Sequence, residues 1–84
     1  MINVTLTPEA QRQFDRLPKT IKMRVLQLTK RLQEWPEVSG AKPLRSNLAG
    51  KFRLRTGDYR LQFHVDGDEI VVERIGHRAG FYED

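Results

Sequence analysis

Residues 51–60 read KFRLRTGDYR, four cations threaded among Phe52, Leu54 and Tyr59. In a β-strand, residues two apart share a face. Phe52 and Leu54 therefore point one way, and Lys51, Arg53 and Arg55 the other. Downstream, Tyr59, Leu61, Phe63 and Val65 share a face, while Arg60, Gln62 and His64 take the opposite one. The two apolar sets match only if the connecting loop holds an even number of residues. A two-residue loop at Thr56-Gly57 places Phe52 opposite Leu61 and Arg53 opposite Arg60. A four-residue loop shifts the partners and keeps the faces. One face of this hairpin is then free to take helices. The other presents Lys51, Arg53, Arg55, Arg60, Gln62 and His64. Like charges directly across a strand pair are destabilising, so folding alone gives no reason for this choice. The pattern points to an anion site, with phosphate as the simplest ligand. The plainer alternative has long cationic side chains fanning into water, partly compensated by Asp58 and Glu73.

Working outward, Ile2, Val4 and Leu6 alternate with polar residues as in a short strand with one buried face. Thr7-Pro8-Glu9 is a helix start: Thr7 caps, Pro8 fits the first turn and Glu9 meets the positive end of the dipole. Ala10, Phe14 and Leu17 give that helix an apolar stripe, and Pro18 stops it. Thr20 caps a second, longer helix with Ile21, Val25, Leu28, Leu32 and Trp35 on one face, ended by Pro36. The short link makes the pair an antiparallel hairpin. Residues 36–49 read as loop, and three strands follow near 50–55, 58–66 and 69–75, with turns at Thr56-Gly57 and Asp66-Gly67-Asp68. Ile70-Val71-Val72 is apolar on both faces, so the register of the last strand stays open. The expected class is α+β: a helix hairpin on a mainly antiparallel four-stranded sheet in the order β-α-α-β-β-β. Antiparallel geometry brings the end of the last strand beside Arg60, and with it Arg78 and Tyr82.

Eighty-four residues, 38% of them hydrophobic, predict a single domain spanning 1–84 with a modest packed core. There is no cysteine, so disulfides and thiolate metal sites are excluded. His64 and His77 are too few for a metal cluster, and neither a metal nor a cofactor is expected. No apolar run approaches the ~20 residues of a membrane helix, and the N-terminus lacks a secretory pattern. The expectation is a cytoplasmic protein. The net charge of +4 is unevenly spread: +5 over residues 1–50 (nine Lys/Arg, four Asp/Glu), +3 over 51–65 (four, one) and −4 over 66–84 (two, six). A basic body of this kind suits a polyanion or an acidic protein partner.

Three segments carry a family resemblance: Leu48-Ala49-Gly50-Lys51-Phe52-Arg53-Leu54-Arg55, Asp58-Tyr59-Arg60-Leu61, and Ile75-Gly76-His77-Arg78 with Tyr82. With the element order, they resemble the RelE/ParE superfamily of bacterial toxin–antitoxin toxins, and more particularly its RelE-like members. The resemblance implies a metal-independent endoribonuclease that cuts messenger RNA in the ribosomal decoding site and is held inactive by a cognate antitoxin. It also implies operator DNA as a target of the pair, read by the antitoxin. By position, Lys51, Arg53 and Arg60 surround the scissile phosphate, and Arg78 stabilises or protonates the leaving 5′ oxygen. Tyr82 stacks on a base or orients the attacking 2′-hydroxyl. Arg55, His64 and His77 join the substrate-binding surface. Lys51, crowded by Arg53, Arg55 and Arg60, is expected to have a lowered pKa and so to be a candidate general base. The chain departs from the pattern at Arg53, often lysine in RelE-like members and unable to act as a base, and in its short tail. His77 is an alternative proton carrier. Two other readings share the fold: a ParE-like poison of DNA gyrase acting by protein contact, and a catalytically silent RNA- or antitoxin-binding relative.

Overall fold

The computed structural model describes residues 2–80. Strand β1 (Asn3–Leu6) leads into helix α1 (Pro8–Asp15) and helix α2 (Lys19–Leu32). A two-residue strand β2 (Lys42–Pro43) precedes β3 (Lys51–Thr56), β4 (Tyr59–Asp66) and β5 (Glu69–His77). Short 3₁₀ turns cover Ser46–Leu48 and Arg78–Gly80. The sheet has five strands in the order β1-β5-β4-β3-β2, with β1 parallel to β5 and the other neighbours antiparallel. The expected four-stranded sheet thus gains a strand from the segment read as loop. Pro43 lacks an amide donor, so such a strand survives only at a sheet edge, where it pairs with Phe52.

Thr7 caps α1 as expected, its Oγ1 accepting from Ala10 N at 3.1 Å. For α2 the expectation fails: the cap position is Pro18, which provides no side-chain bond, and Thr20 lies inside the first turn. Trp35 also falls beyond the helix, whose last residue is Leu32. It still meets the core, edge-on to Phe52 and Phe63 at 4.9 and 5.5 Å between centroids, while those two rings stack at 5.5 Å. Such aromatic pairs add about 0.5–1.5 kcal/mol each beyond area burial. Val25, Leu28 and Leu32 from α2 close over Leu54, Leu61, Phe63, Ile70, Val72 and Ile75.

The basic hairpin keeps its faces but shifts its partners. Its two-residue turn is Gly57-Asp58, so Phe52 faces Phe63, Leu54 faces Leu61 and Arg55 faces Arg60. Gly57 has φ +59 and takes the first turn position, where a type II′ turn requires a positive φ. The expected loop Thr56-Gly57 put that glycine second. Gly67 repeats the arrangement at φ +61 in the β4–β5 turn.

Strand β5 carries a bulge opposite Gln62 and Phe63: Gln62 pairs with Arg74 and Phe63 with Val72, leaving Glu73 as the extra residue. Val72 and Ile75 are both buried although three positions apart, which an unbroken strand forbids and one inserted residue permits. Where β1 ends, α1 takes over that edge of β5. Thr7 N donates to Val72 O at 3.0 Å, Thr7 Oγ1 donates to Glu73 O at 3.3 Å, and Gln13 Oε1 accepts from Ile75 N at 2.6 Å.

Candidate functional site

The face of β3–β5 turned away from the helices divides into two ends. At the end near the Gly57-Asp58 turn stand Arg55 and Arg60, paired across the strands, with Arg53 one step along. Arg78 is drawn to the same end because its amide donates to Asp58 O at 2.7 Å. The expected convergence of Arg53, Arg55, Arg60 and Arg78 is therefore present. Its electrostatic signature falls on Arg60, whose guanidinium is pushed below its usual value by burial first, then by Arg53, Arg55 and Arg78, with Asp58 opposing. Repulsion of this kind is relieved when an anion enters.

At the opposite end, about 13 Å along the strands at ~3.3 Å per residue, Lys51 faces His64. Here the structure adds Glu73, a residue expected to do no more than balance charge. Its Oε1 lies 3.1 Å from Lys51 Nζ and accepts from Gln62 Nε2 at 3.2 Å, while Oε2 lies 2.9 Å from His64 Nδ1. Burial alone raises the Glu73 carboxyl. The hydrogen bonds from Gln62 and Lys51, the Lys51 charge and the bond to His64 outweigh it and hold the group below the ordinary carboxylate range. The crowding by arginines expected at Lys51 is thus replaced by an ion pair, because Arg55 and Arg60 sit at the other end of the hairpin.

His77, expected on the substrate-binding surface, pairs with Tyr59 and so stands on the helix-side face of the sheet. Its ring lies 5.4 Å from Tyr59, nearly perpendicular, and its Nδ1 accepts from Ala79 N at 3.1 Å. Tyr82 lies outside the described residues. Glu73, expected only to balance charge, is the residue of this site whose role sequence reasoning missed. The signal was present: buried-type residues at 70, 72 and 75 break a strict alternation across a charged Glu73-Arg74 pair, which is the mark of a bulge that turns both outward.

Residues 4–82 match the sequence profile of the family described as ParE toxin of type II toxin–antitoxin system, parDE. The chain belongs to the RelE/ParE family of type II toxins. Among relatives of this family, Toxin RelG of Mycobacterium tuberculosis is 35% identical over 81 residues, covering 94% of this chain and 93% of that protein. The M. tuberculosis RelBE2 toxin–antitoxin complex contains a chain that superposes with a TM-score of 0.80 at 34% identity, covering 93% of this chain and 92% of that one. Isolated E. coli RelE gives a TM-score of 0.76 at 15% identity over 92% of this chain and 84% of its own, a likeness of fold. The RelE/ParE fold expected from the sequence, a helix hairpin on a mainly antiparallel sheet, is the one observed, with a fifth strand added.

Proposed function

We propose that this RelE/ParE toxin is a ribosome-dependent endoribonuclease that cleaves messenger RNA in the decoding site and so stops translation. The observation that carries this reading is the convergence of Arg53, Arg55, Arg60 and Arg78 at one end of the outer sheet face, close enough for three of them to depress the fourth. A phosphate seated there gains a prearranged set of donors as its charge develops. The 2′-oxygen of the RNA attacks its own 3′-phosphorus, the bond to the 5′ oxygen breaks, and a 2′,3′-cyclic phosphate and a 5′-hydroxyl result. Arg53 and Arg60 hold the non-bridging oxygens, and Arg78 stabilises the leaving oxygen. Arginine keeps its proton at any working pH, so none of the four is the base. Tyr82 stacks on a base or orients the 2′-hydroxyl. The nucleophile comes from the RNA, so the chemistry calls for no metal.

The partner is a cognate antitoxin, through which the pair reaches operator DNA, and the setting is the cytoplasm. Val4, Leu6, Phe14, Val25 and Leu26 line a groove of about 390 Å³ beside β1. Leu26 is exposed there, Met23 is exposed three residues before it on α2, and Lys22 lies over the Phe14 ring. An acidic, amphipathic antitoxin segment matches that combination.

Programmed ribosomes with labelled message test the reading. Cleavage should persist in chelator and fall about 10²–10³-fold in Arg60→Ala, the scale expected for loss of an oxyanion donor. The match to a ParE profile favours a second reading, a poison of DNA gyrase. Intact message at high toxin concentration, together with stalled gyrase–DNA complexes, would establish that reading and dismiss the nuclease.

A further inference from the structure

A carboxylate is an unexpected group on a face that binds RNA. It repels the phosphate backbone, and Glu73 is largely covered rather than free to swing away, with its side chain 19% exposed. Both its oxygens are engaged, one by Lys51 and Gln62 and the other by His64 Nδ1. A histidine bonded to a carboxylate through one ring nitrogen is fixed in orientation and tautomer. With Nδ1–H given to Glu73, the neutral ring carries its lone pair on Nε2. The His64 side chain is 34% exposed, so that nitrogen is within reach of a ligand on the outer face.

The other candidate proton carriers differ, and His77 lies on the opposite face beside Tyr59. Lys51 is held as the partner of Glu73. His77 spends its Nδ1 lone pair on the Ala79 amide, which leaves Nε2 bearing the hydrogen in the neutral ring. His64 alone among them combines an oriented ring with an available acceptor. Its position is also suitable. Arg53 pairs with Gln62, two residues before His64 on the same face, and diagonal neighbours across strands lie about 7–8 Å apart. A phosphate held by Arg53, which stands between the two ends of the face, directs its ribose towards His64.

Resting on the nuclease reading above, we propose that His64 is the general base of this toxin and Glu73 the residue that positions it. His64 Nε2 takes the 2′-hydroxyl proton as the 2′-oxygen bonds to phosphorus. The departing 5′ oxygen takes its proton from solvent, and His64 returns its own to solvent afterwards. The charged groups facing His64 are Glu73 and Arg74 of β5, Lys51 opposite it on β3, Arg53 diagonally across and Asp66 two residues along β4.

The test is a pH–rate profile on programmed ribosomes, with kcat and KM separated. Wild type should show a rising acid limb governed by one group titrating between pH 5 and 8. His64→Ala should lose that limb and about 10²-fold in kcat, partly restored by added imidazole. Glu73→Gln should bind RNA more tightly, since a repelling charge is gone, yet turn over more slowly with its acid limb displaced. A role limited to charge balance predicts the tighter binding with kcat and limb unchanged, and that result would overturn the proposal. So would transfer of the limb's loss from His64→Ala to Lys51→Gln. Nitrogen-detected NMR of the unmodified protein gives an answer independent of variant folding: the Nδ1–H tautomer of His64 is expected, and the Nε2–H tautomer would refute it. A wild type that leaves message intact sinks the nuclease reading itself, whereas a cleaving wild type with an unaltered His64→Ala profile sinks only the assignment of the base.

Discussion

At the scale of single residues, Glu73 is where stability and chemistry meet. Its folded carboxyl titrates below the ordinary value of 4.5 because the bonds and charge it gains exceed the effect of its burial. Between those two values the unfolded chain binds more protons than the folded one. The contribution of Glu73 is therefore complete above the unfolded value and is lost as pH falls through the folded one. Urea unfolding should show a midpoint that declines from pH 6 to pH 3, and Glu73→Gln should flatten that decline. An equally steep decline in the variant would place the acid sensitivity elsewhere. Arg60 was legible as an outward-facing residue from strand parity alone, and so were Arg53 and Arg55. Glu73 was not, because parity holds only while the strand is regular, and the bulge makes Glu73 share a face with its neighbour Arg74. The surroundings of Lys51 differ from those expected for a related reason. Parity gives the face on which a side chain stands but not its distance along the strands, and a turn displaced by one residue moved every cross-strand partner.

At the scale of elements, the bulge in β5 is held from the side by α1. Beyond Leu6 no strand continues beside β5, and the exposed ladder groups are met by Thr7 and Gln13. Gln13→Ala leaves the Ile75 amide without that acceptor, a loss of about 1–3 kcal/mol. Gln13→Glu keeps an acceptor oxygen and should lose less. Thermal unfolding of the two variants checks this; equal loss in both would mean the bond contributes little. The order of the long elements and their apolar stripes could be read from periodicity and from the Thr7-Pro8-Glu9 start. The two-residue β2 could not, since a strand so short has no period. Nor did Thr20 reveal that Pro18 holds the cap position of α2, because a proline before a helix serves equally as the end of the preceding one.

At the scale of the whole molecule, the excess positive charge is concentrated where it works against folding. Arg55 and Arg60 directly oppose each other, a placement that weakens the hairpin while it prepares an anion site. Arg55→Gln should therefore leave stability equal or higher by about 0.5 kcal/mol. The same change should lower RNA affinity and reduce the slope of log affinity against log salt by about one. A slope unaffected by the substitution would remove Arg55 from the contact surface. Among the described residues no helix is long and apolar enough to cross a membrane, and the basic surface finds its complement in polyanions and acidic segments.

The parallel pairing of β1 with β5 has a consequence for synthesis. Asn3 meets Glu69, so the first strand emerges 66 residues ahead of its neighbour (69 − 3) and waits roughly 3–13 s at ordinary elongation rates. Helix α1 waits as well, since the groups that Thr7 and Gln13 satisfy also belong to β5. Arg78 follows that strand, and Glu73 lies within it. The cation cluster and the His64–Glu73 pair therefore come into being together, late, and only once the translating ribosome has released nearly all of the described chain.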